Sequence, residues 1–166
     1  MRRKDREITD LKDIVEIIKK CDVCRLALFD CEYPYIIPLN FGFSFDGENI
    51  EFYFHGANAG KKLSLLGLNN KVGFEMDCSH RLITGEKACD YTMEYESVCG
   101  NGIVSLLNDD QKIDALTHLM KQYSKEKTFE FNEINLKAIA VFKLNVNEIT
   151  AKALKQKQKQ EEKKNE

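Results

Sequence analysis

Pro34-Tyr35-Ile36-Ile37-Pro38-Leu39-Asn40-Phe41-Gly42-Phe43, then Ile50-Glu51-Phe52-Tyr53-Phe54-His55 and Gly56-Ala57-Asn58-Ala59-Gly60-Lys61-Lys62, is the stretch that decides the fold. Both apolar runs are rich in aromatic and β-branched residues, and Asp46-Gly47 between them is a strong hairpin turn. They predict antiparallel strands over 35–43 and 50–55. The loop leaving the second strand contains Gly56 and Gly60 and ends in two lysines. Leu63, Leu65, Leu66 and Leu68 then predict a short helix ending near Asn69-Asn70. A helix N-terminus carries partial positive charge, so ammonium groups there are unfavourable unless an anion sits between them. Free backbone N–H groups, a glycine-softened turn and Lys61 with Lys62 therefore describe a phosphate site beside an antiparallel sheet. The plain alternative is a solvated Lys-Lys pair on an exposed helix.

Working outward, Leu11, Ile14, Val15, Ile17 and Ile18 recur at helical spacing, with Thr9 or Asp10 as the N-cap. Val23 to Phe29 alternates, placing Cys24, Leu26 and Leu28 on one face of a strand. Val72–Asp77 is another strand, and the polar stretch from His80 to Tyr91 reads as a long loop. Tyr95–Leu107 is a strand interrupted by Gly100 and Gly102, which permit a bulge. Asp109 is read as the cap of a helix through Ile113, Leu116, Leu119 and Met120, and Ala138–Val146 as the last strand. Neighbouring strands joined by turns, without strict β-α-β alternation, favour an antiparallel barrel. The expectation is mainly β, with flanking α-helices: one domain over 1–150. Residues 151–166, almost all Lys, Gln and Glu from Lys152 onward, are expected to form a charged, fraying tail.

Composition narrows the function classes. A chain of 166 residues can bury most of its unfolded surface in one core. The formal net charge of −2 lacks the basic excess that a nucleic-acid surface needs. No apolar run reaches membrane-spanning length and the N-terminus is charged, so a cytoplasmic protein with no membrane association is expected. Six cysteines then read as reduced thiols. Cys21-x-x-Cys24 is a weak metal signal, since zinc would need two further ligands from Cys78, His80 or Cys89. No metal site is expected. Cys24, Cys78 and Cys99 read as small buried apolar residues. Gly100-Asn101-Gly102 lacks the third glycine and following helix of a dinucleotide fingerprint.

Several motifs occur in register over roughly the first 150 residues, an ordinary length for one domain. They are Met1 to Ile8, Cys24-Arg25-Leu26-Ala27, Pro34 to Gly42, Tyr53-Phe54-His55-Gly56-Ala57 with Gly60-Lys61-Lys62, and Glu96 to Gly102. Together they resemble the FMN-binding split-barrel family that includes pyridoxamine 5′-phosphate oxidase, and within it the 5-nitroimidazole-resistance branch. The resemblance implies an antiparallel split β-barrel, FMN as cofactor, and a homodimer with FMN at the subunit interface. It implies a flavin-dependent reductase of nitroaromatic or related small acceptors. Lys61 takes the family's phosphate-contacting position, and Lys62 sits beside it. The isoalloxazine ring is implied to lie against Pro38, Leu39 and Asn40, whose interrupted strand would supply hydrogen-bond donors to the ring. An edge strand or bulge explains Pro38 equally without a ring. Phe54 and Gly56 join the implied cofactor contacts, with Ser97 near the cofactor or dimer interface.

His55 is the candidate catalytic residue. It closes a strand running into the lysine loop, and nitro reduction consumes protons as well as electrons. A satisfied structural histidine is the competing reading. Arg25 faces away from Cys24 and Leu26, toward a carboxylate or the phosphate, and His118 reads as an ordinary helix residue. Two other functions remain: a flavin- or haem-binding sensor without turnover, with His55 or His80 as axial ligand, and a pyridoxamine phosphate oxidase-like oxidase. The family's arginine-containing C-terminal substrate segment has no counterpart here, which disfavours the oxidase.

Overall fold

The computed structural model describes residues 3–154. After a 3-10 turn at Lys4–Arg6, the chain forms β1 (Glu7–Ile8), α1 (Leu11–Ile18), β2 (Cys24–Leu28), β3 (Tyr35–Leu39), β4 (Gly42–Phe45), β5 (Ile50–Ala57) and α2 (Lys61–Leu68). There follow β6 (Lys71–Ile83), a 3-10 turn at Ala88–Asp90, β7 (Thr92–Leu106), α3 (Asp109–Tyr123), α4 (Glu133–Lys137) and β8 (Ile139–Leu154). Seven strands lie in the order β3-β2-β6-β7-β8-β5-β4, with β1 added to β8, and every pairing is antiparallel. β3 and β4 end opposite edges of this path, yet only Asn40 and Phe41 separate them in sequence. The sheet therefore curls round until its two edges meet at that corner, which is the antiparallel split barrel with flanking helices.

The predicted strand over 35–43 is thus two strands. The chain leaves the ladder with β2 at Leu39 and enters the ladder with β5 at Gly42. Tyr123 at the end of α3 holds the corner: its hydroxyl accepts from the Phe41 N–H (2.9 Å) and donates to the Asp22 carbonyl (2.9 Å). Pro38 stands opposite Arg25 on β3, an edge strand of the sheet path, where its missing N–H costs no central ladder bond.

Local chemistry accounts for the element ends. Asp10 caps α1 by accepting from the Lys12 N–H at 2.8 Å, and Ile14, Val15, Ile17 and Ile18 make one buried face. Asp46 closes the β4–β5 hairpin by accepting from the Glu48 and Asn49 N–H groups (2.9 and 2.7 Å), beside Gly47 at φ 109°. The α3 cap is Asn108 rather than Asp109, in a reciprocal box with Gln111. Inside the barrel, Phe41, Phe52, Phe54, Phe74 and Phe142 interlock, with centroids 5.2–5.7 Å apart in the pairs Phe41–Phe52, Phe52–Phe74 and Phe54–Phe142. Each such burial is worth about 1.5–3 kcal/mol. A smaller cluster, Tyr53, Ala115, Leu116 and Val141, seats α3 on the outer side of β5 and β8.

Several expectations need correction. His80–Ile83 continues β6 beyond a register shift between Cys78 and Arg81, so only 84–91 remains of the expected loop. The β7–β8 ladder shifts at Asn101/Gly102, and the extra residue is Asn147 on β8. Gly100 and Gly102 serve there by letting β8 come close: a Cβ at either would lie 2.2 Å from the Glu148 oxygen or 2.1 Å from the Asn145 oxygen. β8 runs to Leu154, well past Val146, so residues 151–154 of the expected tail are paired strand. Residues 155–166 lie outside the described residues. Cys99 is exposed on the outer face of β7, whereas Cys24 is fully buried.

Candidate functional site

α2 fills one end of the barrel, burying Leu65 and Leu66 in the core, and its first two residues reach to opposite sides. Lys61 extends toward the β2–β3 side: its ammonium pairs with Asp30 at 2.5 Å and lies 5.0 Å from the Tyr35 ring centroid. That pairing raises the Lys61 pKa and fixes its charge. Lys62 extends toward β5 and β8, its ammonium 5.1 Å from the centroid of the Phe142 ring. It is half-buried, burial lowers its pKa, and no carboxylate or hydrogen-bond acceptor among the described residues compensates it. Gly56 leaves it room, since a Cβ there would sit 2.4 Å from the Lys62 nitrogen. Gly60, at φ 124°, is the N-cap of α2 and offers no side chain to the first-turn N–H groups.

A half-buried cation with no partner is costly, and an anion at this point would relieve that cost. The donors fit a phosphate monoester: a flexible ammonium, unoccupied N–H groups of a helix's first turn, and a glycine where the ligand approaches. Of the two lysines, Lys62 is the one whose charge is available, because Lys61 is already neutralised by Asp30. Nothing in the local sequence distinguishes them. The deciding residues, Asp30 and Phe142, come from remote strands.

His55 faces outward from β5, opposite Val141 of β8, and its imidazole has no hydrogen-bond partner among the described residues. Partial burial, then the Lys62 charge, hold its pKa below the ordinary histidine value. His55, Gly56 and Lys62 thus form one corner, with Lys61 at its far side, turned toward Asp30. Phe54 does not join it at the surface: it is fully buried and stacked on Phe142, so it supports the floor of the corner.

The other expected residues gather elsewhere. On the outer face of β3, β2, β6 and β7, Pro38 stands opposite Arg25, Arg25 opposite Glu75, and Asp77 opposite Ser97. Arg25 donates to Asp77 (2.7 Å) and Glu75 (3.1 Å), and His80 lies 3.0 Å from Asp77. Leu39 packs against the core, and the Asn40 amide donates to the Asp22 carbonyl at 3.3 Å. Within one chain, then, the expected residues form two groups, one at the β5–α2 corner and one on the outer sheet face.

Comparison with known proteins agrees with this architecture. Residues 10–153 match the family described as pyridoxamine 5′-phosphate oxidase. A candidate 5-nitroimidazole antibiotic resistance protein from Bacteroides thetaiotaomicron is similar over 89% of this chain and 86% of its own, with 30% identity and a TM-score of 0.76. A flavocytochrome from Azotobacter vinelandii (17% identity, 94% and 72% covered, TM-score 0.76) shares the fold. So does an FAD- and haem-binding protein from Mycobacterium smegmatis (17% identity, 91% and 74% covered, TM-score 0.75). No curated protein matches the chain in sequence.

Proposed function

The chain belongs to the pyridoxamine 5′-phosphate oxidase family, and on that premise we propose that it is an FMN-binding reductase of nitroaromatic or related small acceptors. The observation that carries the cofactor reading is Lys62, a half-buried ammonium at a helix N-terminus with no anionic partner among the described residues. The 30% identical relative supports the acceptor class. When bound, reduced FMN supplies the electrons. Lys62 and the first turn of α2 hold the phosphate, with Lys61 kept at hand by Asp30. The two-electron step from nitro to nitroso takes up two protons and releases water, and His55, with no hydrogen-bond partner among the described residues, is the group we assign to relay one of them.

The division of the site residues into two groups supports a homodimer, in which the corner of one protomer would meet the outer sheet face of its partner. That face is apolar where it would be covered: Phe29 and Ile36 are 64% and 61% exposed, beside the flat pair Ala27 and Gly73.

The visible absorbance spectrum of the purified protein tests the proposal. Flavin bands near 370 and 450 nm, or uptake of added FMN, are the expected result, followed by nitroaromatic turnover with a supplied reductant. A haem-type Soret band, or no uptake of FMN, would remove the reductase reading and leave the fold untouched.

A further inference from the structure

The Cys21-x-x-Cys24 spacing hides a different pair. Cys24 points into the core of β2 opposite Leu39. Cys21, just after α1, turns instead toward Cys78 on β6. Both thiols reach the Ile17 carbonyl, at 3.4 Å from the Cys21 sulfur and 3.9 Å from the Cys78 sulfur, so one backbone oxygen brings the two side chains side by side. Cys21 is 2% exposed, while Cys78 is half-buried and accessible. We propose that Cys21 and Cys78 are a modification site, closing to a reversible intramolecular disulfide when the protein meets a peroxide.

The surroundings suit this chemistry. Cys78 is the last residue of β6 before the ladder shifts register, and Ser79 follows in the left-handed region at φ 59°. Cys78 is still paired with Glu96, but Ser79 and His80 after it have no register partner, so the ladder holds Cys78 from one side only. The Glu96 carboxylate lies 3.8 Å from the Cys78 sulfur and is held by Lys20 at 2.5 Å and the Ser79 hydroxyl at 2.8 Å. The Cys78 thiol passes its proton to Glu96 and attacks hydrogen peroxide. The O–O bond breaks, a sulfenic acid forms, and the departing hydroxide recovers the proton as water. Cys21 then attacks the Cys78 sulfur, forming the S–S bond and releasing the second water. Two thiols are oxidised by two electrons as one peroxide is reduced to two waters. Burial, then the adjacent Cys78, raise the Cys21 pKa, so Cys21 remains a thiol while Cys78 meets the peroxide and gives its proton to the departing hydroxide only in the second step.

The test uses the full chain carrying Cys31→Ser, Cys89→Ser and Cys99→Ser, which removes the exposed thiols, alongside the unmodified protein. Both are treated with hydrogen peroxide, alkylated and mapped by mass spectrometry. The expected result is a Cys21–Cys78 cystine peptide in both proteins, a mass loss of about 2 Da per chain, and full reversal by dithiothreitol. Cys78→Ser should abolish it. The map of the unmodified protein stands by itself should a variant fail to fold. Sulfinic acid at Cys78 with Cys21 still alkylated, both thiols left unreacted, or cross-links confined to the exposed cysteines would each overturn the proposal.

Discussion

Lys61 and Lys62 are adjacent and identical in type, yet their surroundings assign them different work. An ammonium already paired with Asp30 adds little to a new anion, whereas Lys62, without a carboxylate among the described residues, gains a partner. Lys62→Ala should therefore weaken FMN binding about 10- to 100-fold, the equivalent of about 1.5–3 kcal/mol for a charged hydrogen bond. Lys61→Ala should cost less, and neither should alter riboflavin affinity. Equal losses of FMN and riboflavin in a fluorescence titration would remove the phosphate from this corner. His55 adds a pH dependence whose sign follows from its depressed pKa. The unfolded chain takes up the proton first as pH falls through about 6.5, so His55 lowers stability below that value and leaves it unchanged well above. In the apo protein, His55→Gln should flatten the fall in thermal midpoint between roughly pH 6.5 and 5. An unaltered pH profile would show that the ring is not held neutral by its surroundings. With FMN bound, the same variant should lower turnover more than cofactor affinity.

At the scale of elements, the two glycines of β7 set how near β8 can lie. Gly102→Ala would press a methyl group on the Asn145 backbone, with Leu144 behind it, and should cost roughly 2–3 kcal/mol in urea unfolding. Gly67→Ala, in α2 with nothing within 4 Å, should instead stabilise by roughly 0.5–1 kcal/mol. A neutral Gly102→Ala would mean that β8 has room to withdraw. Much of this level was legible in sequence: the α1 stripe from Ile14 to Ile18, the Asp46-Gly47 hairpin and the Gly100/Gly102 irregularity all express short-range chemistry. The break at Asn40–Phe41 was not, because both flanking runs favour strand and only barrel closure, held by Tyr123, parts them. Nor was the end of β8 legible, since Ala151 to Leu154 are ordered by β7 and β1 and carry little apolar pattern of their own. The site divided the same way. His55, Gly56 and the lysines are a local run visible in the sequence, while Asp30, Phe142 and the meeting of Cys21 and Cys78 at the Ile17 carbonyl arise only when distant elements pack together.

For the whole molecule, Ile36→Glu tests whether two chains build the site together. It places a charge on the exposed apolar face without touching the core, so the fold should survive. The expected outcome by light scattering is about 19.2 kDa in place of about twice that mass, with loss of FMN uptake. A dimer that persists with full uptake would put the interface elsewhere. The sheet order carries one last consequence, for the chain during its synthesis. β8 lies between β7 and β5 and also receives β1, so Glu7 waits for Lys152 and β5 waits for Phe142. Until those residues leave the ribosome, the earlier strands can form hairpins, but no ladder joins the β2–β3–β6–β7 half to the β4–β5 half. Closure of the sheet therefore waits for β8 and comes late, as a single event. A nascent chain stopped before Ile139 would expose two unsatisfied strand edges, the substrate on which holding chaperones act.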